Sequence, residues 1–78
     1  MEMISLVEIK RNCYVYQGSV YIDDSTIFFL ATVKDSIIVD LLGTTITEMG
    51  IIVVGNPELL QRTIDKVYEK LNLTPVLV

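Results

Sequence analysis

The chain has 78 residues, 51% of them hydrophobic, and carries ten Asp and Glu against six Lys and Arg, for a net charge of −4 without any histidine. A single cysteine, Cys13, excludes an internal disulfide, and with no histidine and no second thiol a zinc site lacks ligands. The acidic balance and six scattered basic residues offer a phosphate backbone no basic stripe, so nucleic acid is not an expected partner.

In chain order, the early acid Glu2 and the missing basic n-region argue against a signal peptide. A first strand is expected from about Met3 to Lys10, where Ile4 and Leu6 differ in pleat parity from Val7 and Ile9. Between Cys13 and Ile22, Gly18-Ser19 suits a two-residue type II′ hairpin loop. In that register Val15 faces Ile22, Gln17 faces Val20, and Cys13 lies on the same aliphatic side. Tyr16 then faces Tyr21 across the ladder with Tyr14 beside them, a sorting that a one-residue slip destroys.

Asp23-Asp24-Ser25 reads as the next turn. An even-length loop there puts Ile27, Phe29, Ala31 and Val33 beside Val20 and Ile22, and sends Phe28 and Leu30 to the tyrosine face. At Lys34-Asp35-Ser36 a three-residue loop is expected, because it keeps Asp40 off the aliphatic face, where an unpaired carboxylate is costly. The apolar window from Ile37 to Gly55 is broken by Asp40, Gly43, Glu48 and Gly50, which speaks against a transmembrane helix. Further strands are expected around Thr44 to Glu48 and Ile51 to Val54, turning near Met49-Gly50.

Asn56-Pro57-Glu58 places an N-cap, a first-position proline and a first-turn acid. Leu60, Ile64, Val67, Tyr68 and Leu71 then recur at helical spacing, with Gln61, Arg62, Asp65, Lys66, Glu69 and Lys70 mainly on the other side. A helix over about 57–71 follows, with Glu58 and Arg62 spaced to pair and Asn72 and Pro75 closing it. The apolar tail, Val76-Leu77-Val78, reads as a short edge strand.

Together these elements predict one α+β domain over 1–78. It is an antiparallel β meander of about five or six twisted strands, followed by one C-terminal amphipathic helix packed on the sheet. That order resembles pleckstrin-homology-like and other small α+β folds in topology alone, which implies nothing about function.

Residues that could carry chemistry have plainer uses. Asp23-Asp24 supplies too few oxygens for a hard cation and suits a turn. Gly55-Asn56-Pro57 lacks the glycines of a dinucleotide fingerprint and the Gly-Lys-Ser/Thr of a P-loop, which leaves a helix cap. Thr44, Thr45 and Thr47 have no base in a recognisable relation to them. Cys13 on an aliphatic face reads as a small hydrophobe and not as a nucleophile. No cofactor, metal or catalytic residue is therefore expected.

One constellation remains: Tyr14, Tyr16, Tyr21, Phe28 and Leu30, an aromatic face that is either a second core or a partner interface. A core of this size gives little net stability, and self-association is the reinforcement left open. The expected function is a non-enzymatic protein-interaction module of the cytoplasm that forms a homo-oligomer, a dimer first, or binds another protein, without a membrane. The alternative is a regulator binding a small apolar ligand between sheet and helix, in a pocket lined by Phe29, Val67 and Tyr68. An enzyme ranks third, because the chain lacks the usual acid–base pairings; a share in a composite site at an interface is the form left open.

Overall fold

The computed structural model describes residues 3–72. Five strands, β1 (Met3–Lys10), β2 (Cys13–Ile22), β3 (Ser25–Lys34), β4 (Ile37–Thr47) and β5 (Gly50–Val53), form one antiparallel sheet in chain order, and α1 (Pro57–Leu71) follows. This is the expected α+β meander with its C-terminal helix packed on the sheet against β2 and β4. The tail expected to form an edge strand lies outside the described residues.

Turn chemistry sets the meander. Asp23 and Asp24, then Asp35 and Ser36, all take positive φ (48°, 63°, 52° and 64°). Two-residue loops of this hand match the twist of the strands they join. Asn12 takes φ 66° between β1 and β2, and Gly50 takes φ 112° where β5 begins, a conformation that L side chains rarely adopt.

Gly18-Ser19 forms no hairpin. β2 runs straight through it, and Gly18 pairs with Ile4 on one side and Phe29 on the other. A Cβ at Gly18 would strike the Met3 backbone carbonyl and sit 3.0 Å from the Ile4 Cα. The glycine is there for close approach of β1, not for a turn. Likewise Thr44 to Glu48 is not a separate segment but largely the end of the long β4, which passes through buried Gly43.

Two bulges correct the pleat. One at Val7 lets Ile4, Leu6 and Ile9 pair with Gly18, Tyr16 and Tyr14 on a single face. The loop after β3 has two residues rather than three, and a shift at Val39 restores parity, so that Asp40 pairs with Thr32 and stays exposed. Keeping that carboxylate out of the core is thus achieved by a bulge.

The helix begins and ends as its caps dictate. The Asn56 side chain accepts the backbone N–H of Glu58 (2.9 Å) and of Leu59 (3.2 Å), and Asn72 closes the helix in left-handed geometry, its N–H donating to the Glu69 carbonyl (3.2 Å). Val67 is buried at the centre of its inner face, among Val20, Ile22, Ile27, Phe29, Ala31 and Val54, while Leu59, Leu60 and Leu71 pack around them. Thr63 is also fully buried, its hydroxyl satisfied by the Leu59 carbonyl at 2.8 Å. Among the described residues no helix is long and apolar enough to cross a membrane.

Candidate functional site

Cross-strand partners share a face, so the registers assign every paired side chain of the sheet. Tyr14 pairs with Val33 and Tyr16 with Ala31, on the side the helix covers; Tyr16 packs half-buried against the core. Tyr21, Phe28 and Leu30, which pair with Thr26, Ser19 and Gln17, lie on the opposite side. The five-residue aromatic face is therefore split between the two surfaces. Uniting it required the parity reversal of a hairpin at Gly18, and an uninterrupted strand keeps parity instead. For the same reason Val15 leaves the aliphatic set of Val20 and Ile22; it is buried, 5% exposed, opposite Glu8 and Thr32. Cys13 is half-buried and opposite Lys10, off the aliphatic face.

Tyr21, Phe28 and Leu30 gain neighbours that sequence reasoning missed. Leu42 pairs with Leu30; Ile46 pairs with Ile51; Val53 pairs with Thr44, itself opposite Phe28; and Met3 pairs with Ser19. All eight apolar side chains are exposed, most of all Ile51 (73%), Val53 (65%) and Ile46 (64%). The uncharged Ser5, Gln17, Ser19, Thr26 and Thr44 lie among them. The charged residues of this surface, Glu8, Lys10, Lys34 and Asp40, gather at the other end of the sheet. A groove of about 280 Å³ opens in the apolar half, lined by Gln17, Gly18, Phe28, Phe29, Leu30, Leu42 and Thr44. The 42, 44, 46 alternation was readable in the sequence, but not the bulge that fixes its side.

The helix side is chemically different. Arg62 makes a two-pronged hydrogen-bonded ion pair with Asp23, Nη1 to Oδ2 and Nη2 to Oδ1, the latter at 3.0 Å. It takes the place of the expected Glu58–Arg62 pairing as the partner of the guanidinium. The Arg62 hydrogen bond, aided by its charge, holds the Asp23 carboxyl below the ordinary carboxylate range, and Asp23 raises Arg62 in return. A concavity of about 320 Å³ beside it, at the end of β2, is lined by Ile22, Asp23, Arg62, Asp65, Lys66 and Glu69, a mixture of both signs, together with Tyr21 from the strand's other face.

Of the residues named for a ligand pocket, Phe29 and Val67 are buried in the core, and the Tyr68 hydroxyl accepts the Ile38 N–H at 2.8 Å. The threonine hydroxyls serve the backbone: Thr45 donates to the Thr26 carbonyl (3.1 Å) and Thr47 to that of Gly50 (3.0 Å). Among the described residues no group of three or more Cys, Asp or Glu could hold a metal ion. Comparison with protein-family models, curated proteins and solved structures finds no match to this chain.

Proposed function

We propose that the chain is a non-enzymatic protein-interaction module that self-associates through the helix-free face of its sheet. One observation carries this: an uncharged apolar surface of Met3, Tyr21, Phe28, Leu30, Leu42, Ile46, Ile51 and Val53, left uncovered by the described residues. Eight such side chains, each two-fifths exposed or more, present on the order of 800 Å², the share one partner contributes to a standard-size interface. Contiguous apolar area of that size marks an interaction site on a soluble protein. Segregation of charge to the far end supports the same assignment, since interface cores are depleted in charge.

The test is light scattering at micromolar concentration. The wild-type chain is expected at a multiple of 8.8 kDa, and Leu30→Lys at the centre of the patch is expected to lower that mass while leaving the circular dichroism spectrum unchanged. A wild-type monomer, or an assembly indifferent to Leu30→Lys, refutes the assignment.

A further inference from the structure

A second surface is the outer edge of β5, a strand whose Ile51 and Val53 side chains also belong to the apolar face. Among the described residues β5 has β4 on one side and no strand on the other. The Val54 N–H donates to the Gly43 carbonyl (2.8 Å), which fixes the ladder phase. Val54, Ile52 and Gly50 turn their backbone groups to β4, and those of Ile51 and Val53 therefore point outward.

Other edges of the sheet are guarded. β1 carries a bulge at Val7 with Glu8 and Lys10 beside it, and where β4 runs beyond β5 the Tyr68 hydroxyl caps the Ile38 N–H. β5 has no charge, proline or bulge, and its Ile51, Ile52 and Val53 are all exposed.

We propose that two copies of this chain pair β5 to β5, antiparallel about a two-fold axis at Ile52, joining their sheets into one. The occupant is a second copy because the strand is complementary to itself. In this register each Ile51 meets the partner copy's Val53, so the outward N–H and C=O groups of both residues are satisfied in four hydrogen bonds, two for each Ile51–Val53 pair. Nothing in the alignment repels: continuing it sets Glu48 opposite Asn56 of the other copy, not opposite an acid. Ile51 and Val53 lie on the helix-free face, so the pairing also places the two apolar faces side by side.

The register makes Ile52 a non-hydrogen-bonded pair with itself, a spacing within disulfide reach. In a Cys13→Ser background, Ile52→Cys is expected to form a covalent dimer under mild oxidation, whereas Ile51→Cys, which faces Val53, is expected to lag at least tenfold. Val53→Pro deletes an outward N–H and no bond to β4, so it is expected to fold and to halve the wild-type mass. Equal cross-linking at 51 and 52, or an unchanged mass with Val53→Pro, overturns the edge pairing. So does a Val53→Pro chain that is destabilised as a monomer, which would show the chain's own residues covering the edge. Loss of mass with Leu30→Lys but not with Val53→Pro keeps the face and rejects the edge; the converse keeps the edge and rejects the face.

Discussion

At Gly18 the constraint is the backbone of a neighbouring strand rather than any dihedral angle. Phe29 and Ile4 flank it in the ladder, and an added methyl would press on the Met3 carbonyl, which cannot rotate away as a long side chain could. Gly18→Ala should therefore force β1 outward and cost about 1–3 kcal/mol, as overpacking does. Denaturant melts would read this as a lower midpoint with an unchanged slope. Gly55→Ala is the control: nothing lies within 4 Å of its added Cβ, and its effect should stay within about 0.5 kcal/mol. Equal stability of the two variants would remove the close-approach account of Gly18.

Between elements, the Asp23–Arg62 pair ties the β2–β3 turn to the helix, at a place where both partners are exposed. Its sign with pH follows from the lowered Asp23 value. A carboxyl held below its unfolded pKa contributes stability at neutral pH and loses it as pH falls through the folded pKa. Asp23→Asn keeps a residue that tolerates the left-handed turn and removes the charge. Its melting temperature should lie slightly below wild type at pH 7, and the gap should close as acid protonates Asp23 in the wild-type chain. Added salt should narrow it as well, because the pair is open to solvent. A gap that ignores pH would place the effect in the turn instead.

For the whole molecule, the question is where an apolar surplus goes when, among the described residues, one helix covers only one face of a five-strand sheet. Val20, Ile22, Ile27 and Phe29 go under the helix; Phe28, Leu30 and Leu42 do not. Association through the latter would be driven by apolar burial between copies that each carry −4. Raising salt from about 0.05 to about 0.5 M should then strengthen assembly by screening that repulsion, and cooling should weaken it. Light scattering across both series checks this, and dissociation by salt would mean that ion pairs hold the copies together.

What could be read from the chain alone was whatever depends on local chemistry. Asn56, Pro57 and Asn72 bound the helix because caps act on adjacent backbone groups, and Asp23-Asp24 makes a turn because short acids accept left-handed geometry. The pairing of Val20 with Ile27 follows from that loop. Parity over a longer span was not readable. A strand glycine and a turn glycine look alike until the neighbouring strand is seen at Gly18, and the bulges at Val7 and Val39 reverse faces without a mark in composition. Because one residue of shift moves every later side chain across the sheet, only the tertiary structure decided that Tyr14 and Tyr16 belong with the helix, and that Tyr21, Phe28 and Leu30 keep the open face with Leu42, Ile46, Ile51 and Val53.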